Sequence, residues 1–522
     1  MSPFSLQLGT ALLAGLAGLL IIGRIFKAKR RPVPLPGHSA SGEGAVDTWD
    51  VFDTLIARYC VDPEAVFQWV AARSSAPEFP HWRMRAQADL DALAQPYDIH
   101  DIYRRLRENG ADATLADRLL AEELAVEREQ AVPIRRNIER LGERDLLVSD
   151  MYLGADLVAD LVAHATDGKL VRPPIVGNWG KSCGAIWPAL LGKYVIRMHH
   201  GDNPHSDRAV PRSHGIACEL TDDQVLSGWE ARLFEAGEDQ LAFLQRECRL
   251  RSTPHAPSWG VRNCEIVCGE LPSLLVIYAV QLERKYRRAS SYVFCSRGAD
   301  HVAQVFRTLY PHIRTVSVDL NRVLARVGRH DDVLNAQIPD GAVIVDMVGT
   351  GNTVLAYIGR NPEKRLIYHT MVFCDFLLNE EQKRKRTEQA ASGVFNFHFP
   401  ANEFSGHLWH LEMLLQPGYD MVVDLEADTN SGAVVRGHEA EAWNGDDLRF
   451  LRFKTDAIEA LLRGLRSRPL DRLMTTGKDM ELLHMAVLTI FGDEGIRRSS
   501  PTFFERDILQ ERRLNEPFAA AE

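Results

Sequence analysis

Trp49-Asp50-Val51-Phe52-Asp53-Thr54-Leu55 closes a short apolar-rich run that begins at Val46 and turns polar at its end. Such a run, too short for a helix and ending in an Asp-bearing turn, predicts a buried strand of a parallel sheet over Val46 to Phe52. Working outward, three more hydrophobic stretches end in polar residues. They are Leu146-Leu147-Val148-Ser149-Asp150, then Gly180-Lys181, then Gly201-Asp202-Asn203 followed by Asp207. A strand ending in Asp, another ending in Ser, a lone Lys and a late acidic pair are the parts of a phosphoryl-transfer site. Asp50 would be the nucleophile, Ser149 and Lys181 would hold phosphate oxygens, and Asp202 with Asp207 would hold Mg²⁺. Alone, Ser149 reads as a helix N-cap and Lys181 as a solvated helix start; the ordered set points to chemistry.

That order and spacing resemble the haloacid dehalogenase (HAD) superfamily. The resemblance covers residues 46–222 and implies a doubly wound parallel sheet with its site at the carboxyl ends of the strands. Expected strands are Val46 to Phe52, Asp145 to Ser149, Val171 to Val176 and Val195 to Gly201, with Lys181 opening the helix between the last two. Between Arg58 and Gly142 the spacing turns helical, over Pro63 to Ser74, Ala86 to Ala94, His100 to Glu108 and Leu115 to Val132. A helical insertion at 58–142 resembles the cap of that superfamily, which covers the site, chooses substrate and excludes water.

The chemistry explains the residue types. A carboxylate is a poor nucleophile toward a phosphate dianion, because like charges repel. Mg²⁺ held by Asp50, the Phe52 carbonyl and Asp202 would cancel the repulsion, while Asp207 orients the metal's waters. Lys181 and the Ser149 hydroxyl would take charge developing on the equatorial oxygens. The chain departs from the family at one position. Most HAD phosphatases carry a second Asp two residues after the nucleophile, as acid for the leaving group. Here that residue is Phe52, and Asp53 follows one later. Dehalogenases of the superfamily also have an aromatic residue there and need no Mg²⁺, yet this chain keeps Asp202 and Asp207. Hydrolysis with another acid (Asp53 or a cap residue), phosphoryl transfer through a long-lived aspartyl-phosphate, and mere binding all stay open. The Asp-Val-Phe-Asp-Thr-Leu, Ser-Asp-Met-Tyr-Leu and Gly-Asp-Asn segments also resemble HAD-like proteins associated with bacterial surface polysaccharide synthesis.

The chain has 522 residues, which predicts two or three domains. Its 45% apolar and 25% charged residues fit a globular protein, and a net charge of −10 argues against nucleic acid as the main partner. Eight cysteines include no Cys-x-x-Cys pair, so they read as small core residues in a reducing compartment rather than a zinc site.

The N-terminus differs. Leu6 to Gly23 carries no charge and is followed by Arg24, Lys27, Lys29, Arg30 and Arg31. At about 1.5 Å per residue it reaches about 27 Å, enough for a bilayer core of about 30 Å. Residues 1–31 are therefore expected to anchor the chain as a single-pass inner-membrane protein. The basic flank keeps the catalytic part cytoplasmic. The alternative is a leader or a buried helix. Residues 32–45, rich in Pro, Gly and Ser, read as a tether.

Residues 223–254 read as one charged helical linker, and Pro254 and Pro257 mark a boundary. In 255–430 the strand–helix alternation restarts. Ser291 to Cys295 runs into Ser296-Arg297-Gly298-Ala299-Asp300, and Ala342 to Val345 runs into Asp346-Met347-Val348-Gly349-Thr350-Gly351-Asn352-Thr353. A Gly/Thr-rich turn between strand and helix suits a phosphate. The two turns resemble the pyrophosphate and phosphoribosyl-pyrophosphate loops of type I phosphoribosyltransferases. The resemblance implies ligand contacts from Arg297, Asp346, Thr350, Gly351 and Thr353. It departs where the usual acidic pair is reduced to Asp346 before Met347. Two ordinary turns of a second α/β sheet are the alternative. Glu403, His407, His410 and Glu412 read as packing or substrate contact more readily than as a metal site. Residues 431–522 are expected to be helical, over Asp446 to Leu465 and Met480 to Phe491.

The leading expectation is a Mg²⁺-dependent phosphohydrolase or phosphotransferase acting on a phosphorylated small molecule, such as a sugar phosphate. The rivals are a non-catalytic, membrane-anchored phosphate-binding scaffold and a HAD/phosphoribosyltransferase fusion.

Overall fold

The computed structural model describes residues 45–491 except 169–172, 179, 257–260, 326–327, 405–410, 412–413, 417, 420, 428–433, 440–444 and 469. The expected anchor Leu6 to Gly23, the tether up to residue 44, and His407, His410 and Glu412 lie outside the described residues.

Two parallel α/β sheets organise the chain. The first comprises β1 (Val46–Trp49), β4 (Leu146–Ser149), β5 (Ile175–Val176), β6 (Ile196–Gly201) and β7 (Cys218–Leu220), in the order β5-β4-β1-β6-β7. All its pairings are parallel. β1 and β4 are buried on both faces; β4 opens as the apolar run Leu146-Leu147-Val148, whereas β1 buries Asp47 against Arg197 and Thr48 against His199. Between them β2 (Ile56–Arg58) and β3 (Ala131–Pro133) form an antiparallel ladder, Ile56 opposite Pro133 and Arg58 opposite Ala131. The helices α1 (Ala65–Ser74), α2 (Phe79–Asp91), α3 (Ile99–Glu108) and α4 (Ala113–Gln130) stand between those two strands. Asp98 and Asp101 form a reciprocal capping box at the start of α3, and the Asp112 side chain caps α4. Two buried ion pairs tie α4 down. Arg83 meets Glu123 at 2.9 Å, and Arg58 meets Glu127 at 2.8 Å.

The stretch read as one charged helix is two, Gly228–Glu235 and α5 (Asp239–Ser252). The break falls at Gly237, whose φ of +85° only glycine adopts without strain, and a new capping box at Ser227 and Glu230 starts the first piece. Next come Val261–Gly269 and α6 (Leu271–Lys285). Together they form the one stretch among the described residues long and apolar enough to cross a membrane, with a mean hydropathy of 1.5. It is 89% buried inside the protein, as a core helix would be.

The second sheet comprises β8 (Ser291–Cys295), β9 (Arg314–Val318), β10 (Val343–Gly349), β11 (Ile367–Phe373) and β12 (Phe395–Pro400), ordered β12-β11-β10-β8-β9 and parallel throughout. β10 runs four residues past the expected Val345, so Asp346 lies inside a strand rather than in the following turn. The reason is pairing: Asp346, Val348 and Gly349 continue the ladder opposite Thr370, Val372 and Phe373. After β10 comes α7 (Asn352–Arg360). An antiparallel hairpin, β13 (Met421–Ala427) with β14 (Val434–Glu439), lies beyond the sheet. The tail helices are α8 (Gly445–Ser467) and Asp479–Phe491, close to their expected extents. α8 lies tightly against α5: a Cβ on Gly464 would sit 2.4 Å from the Leu244 Cδ1.

Candidate active site

In the first sheet, chain order proceeds from β1 outward through β4 and β5, then returns to β6 on the other side of β1. A parallel sheet opens a crevice at the carboxyl ends where its order reverses, here between β1 and β6. The expected residues fall at this end. Asp50 follows β1, with its backbone N–H donating to the His200 carbonyl at 2.8 Å. Ser149 ends β4, Lys181 lies in a turn after β5, and Asp202 and Asp207 follow β6. Lys181 does not open a helix, since the next one starts at Ile186.

Oxygens of Asp50, Asp202 and Asp207 lie within 4.8 Å of one another. The Lys181 ammonium, 3% exposed, pairs with Asp50 and, at 2.7 Å, with Asp207. Asp202 accepts from the Thr54 hydroxyl at 3.5 Å. Local geometry brings Asp207 back to the cluster. Asn203 accepts from the N–H groups of His205 and Ser206, and a single π-turn, Pro204–Ala209, follows. Asp207 then folds beneath Gly201, where a Cβ would stand 2.3 Å from its Cγ. Only glycine fits there.

The electrostatics follow from burial. Burial pushes the Asp50 carboxyl well up, and the negative Asp207 and Asp202 add to this against the opposing pull of Lys181. Burial, with the charges of Asp53 and Asp207, pushes Asp202 up to about 7. Burial would also raise Asp207, but the Lys181 charge and the His199 hydrogen bond hold it below the usual carboxylate range. Lys181 is raised, its two carboxylate partners outweighing its burial. Two of the three carboxyl groups, Asp50 and Asp207, thus share one ammonium, with Asp202 beside them. Oxygen donors converging this closely suit a hard divalent cation, so the residues fit a metal ion.

Other expected residues take supporting places. The Ser149 hydroxyl accepts from the Met151 N–H at 3.3 Å, within its own turn at the end of the strand beside β1. Asp53 has a φ of +59°, and its N–H donates to the Ile56 carbonyl at 2.6 Å. Burial raises its carboxyl, while Arg58 and Arg246 pull the other way. The Phe52 ring packs beneath the Arg58 guanidinium, 4.8 Å from its centre.

Several contributors were missed. The Asp150 carboxylate accepts from the backbone N–H groups of Lys181 and Ser182 at 2.6 and 2.7 Å, fixing the turn that carries the ammonium. His199 hydrogen-bonds Asp207 at 3.0 Å and, through its other nitrogen, the Thr48 hydroxyl at 2.8 Å. The Asn137 amide donates to the Thr54 carbonyl at 2.8 Å. Asp150 stands in the quoted Ser-Asp pair, and His199 in the β6 run, but nothing local marks either as a partner.

The second sheet has a different strand order but also reverses beside its first strand, between β8 and β10. Arg297 follows β8 with a φ of +75°, its N–H donating to the Tyr419 hydroxyl at 3.2 Å. Asp346 accepts from the Met347 N–H at 2.8 Å, and burial raises it to about 6. Gly298 closes over Asp346, a Cβ there standing 3.3 Å from its Oδ1. The Thr350 carbonyl accepts from Arg386 at 3.0 Å, and Gly351, at φ +72°, caps α7, whose first turn holds Thr353. Of the five expected ligand residues, Arg297, Thr350 and Gly351 lie in loops, Asp346 in β10 and Thr353 in α7. No protein-family model and no curated protein matches the chain.

Proposed function

We propose that the first unit is a Mg²⁺-dependent, HAD-like phosphohydrolase or phosphotransferase acting on a phosphorylated small molecule. The observation that carries this reading is the Lys181 ammonium held between Asp50 and Asp207, with Asp202 beside them at the sheet's switch point. Asp50, Asp202 and Asp207, with the Phe52 carbonyl, would hold the ion, which supplies positive charge to a phosphate dianion approaching a carboxylate. The Asp50 carboxylate oxygen bonds to phosphorus as the bond from phosphorus to the leaving oxygen breaks, giving an aspartyl-phosphate. Lys181 neutralises the equatorial oxygens, and the Ser149 hydroxyl donates to one of them. Water or an acceptor hydroxyl then takes the phosphoryl group and frees Asp50.

Asp53 is the carboxyl nearest the missing acid position, and burial raises its pKa, so it is the proton donor for the leaving group. The Phe52 ring under Arg58 makes the usual acid position apolar, which favours transfer to a hydroxyl acceptor as the second reading. A sugar phosphate or lipid-linked sugar phosphate suits a site tethered to the inner membrane by Leu6 to Gly23. The second unit is assigned a phosphate-bearing ligand at Arg297, Asp346, Thr350, Gly351 and Thr353.

The test is p-nitrophenyl phosphate turnover by the full-length chain, with Mg²⁺ or EDTA, for wild type and Asp50→Asn. Metal-dependent turnover lost in the variant supports the nucleophile, and faster release with glycerol as acceptor selects transfer. No turnover in folded wild type at millimolar Mg²⁺ sinks the enzymatic reading and leaves the scaffold.

A further inference from the structure

The segment that follows Asp50 and Phe52 is held at Arg58 from outside its own domain. Asp53, Thr54 and Leu55 lead into β2, and the Arg58 side chain at its end is taken by Glu127 of α4. The Arg58 carbonyl is held from the other side. Arg246 of α5, 1% exposed, donates to it from Nη1 at 2.7 Å and to the Gln224 carbonyl from Nε at 2.8 Å. The same guanidinium stands close enough to Asp53 for each charge to act on the other. The next residue, Glu247, faces the opposite way and pairs with Arg468, just past α8, at 2.8 Å. Arg468 in turn stacks on the Tyr59 ring at 4.2 Å and donates to the Glu129 carbonyl at 2.7 Å. Adjacent residues of one helix thus hold the Arg58 end of β2 and the tail of the second unit. A buried Arg is expensive to desolvate, and its planar fork holds two carbonyls in a fixed geometry, where Lys offers a compact ammonium on a flexible stem.

We propose that Arg246 is a positioning residue of the metal-binding turn. Through it, the helix shared by the two units fixes the Phe52 to Arg58 segment on which the cation site depends. The proposal rests on the reading that Asp50, Asp202 and Asp207 hold a divalent ion.

The experiment measures Mn²⁺ binding to the full-length chain by electron paramagnetic resonance, alongside thermal unfolding. Wild type should bind, and Asp202→Asn should abolish binding. Arg246→Lys should weaken Mn²⁺ at least about tenfold, the size seen when a group orienting metal ligands is lost. Arg249→Lys is the control. It alters the same helix at a residue that grips Glu230 and the Asp223 carbonyl instead of the turn. Unchanged Mn²⁺ affinity in folded Arg246→Lys overturns the proposal, as does an equal loss in Arg249→Lys. If Arg246→Lys does not fold, Arg246→Met, which removes the buried charge with its desolvation cost, takes its place under the same criteria. Absence of Mn²⁺ binding in folded wild type refutes the underlying metal reading instead, so the two failures are distinguishable.

Discussion

Both parallel sheets reverse their order beside their first strand, and both gather polar residues where the reversal opens a crevice. They differ in charge. The first gathers three carboxyl groups within 4.8 Å of one another beside one buried ammonium, a set that fits a metal ion. The second keeps its carboxyl groups apart: Asp346 lies inside a strand, covered by Gly298, while Asp300 is taken by Tyr419 and Asp319 by Ser296 and Arg436. A reversal of strand order supplies a place for a ligand in either sheet, and the two proposed roles differ with the residues that end the strands.

The sharpest way to break this contrast is to remove one carboxylate from each crevice. Asp50→Asn should lower phosphoryl turnover at least about a thousandfold, as losing a nucleophile does. Asp346→Asn should leave it within about twofold, and equal losses would merge the two sites into one. Next in size is stability. Lys181→Met leaves Asp50 and Asp207 buried without their shared ammonium, which should cost about 3–5 kcal/mol in denaturant unfolding. Mg²⁺ should restore part of that loss, because it binds only the folded state.

A smaller effect is expected from the two close glycines. Gly201→Ala forces a Cβ to within 2.3 Å of Asp207, where backbone must shift, and should destabilise by about 1–3 kcal/mol. Gly298→Ala meets Asp346 only at 3.3 Å and should cost less. The smallest signal is pH dependence in the second crevice. Asp346 rises from 3.8 to about 6 on folding, so the folded state binds its proton more tightly. Stability should therefore fall as pH rises from about 4 to 6, by at most about 3 kcal/mol. Asp346→Asn should be flatter over that window in thermal unfolding, and a parallel curve would contradict the burial of this group.

The strand ends of both sheets were legible because a polar residue closing an apolar run is a local pattern. Asp50, Lys181, Asp202 and Asp207 were found that way, and the structure brings them together. Two boundaries were misread for local reasons too. Asp346 looks like the start of a turn until pairing with β11 carries the strand onward. Gly237 breaks a run of charged residues that otherwise keeps helical spacing. What stayed hidden depends on distance along the chain. Arg246 and Arg58 meet across 188 residues, and Asp150 and Lys181 across 31, through backbone groups that every residue possesses. Composition cannot announce a partner of that kind.

The ladder between β2 and β3 has an evolutionary corollary. By pairing Arg58 with Ala131 it brings both ends of the intervening helices to one doorway, so the segment behaves as a cassette inserted at a single point. Such a cassette can be lengthened, trimmed or exchanged while the sheet beneath keeps its register. A graft would have to keep the ties the segment makes beyond the ladder, among them Glu127 with Arg58, the Ile99 N–H with the Tyr152 carbonyl and the Glu129 carbonyl with Arg468. Variation in residues 59–130 can therefore proceed while Asp50, Lys181, Asp202 and Asp207, all outside the segment, stay in place.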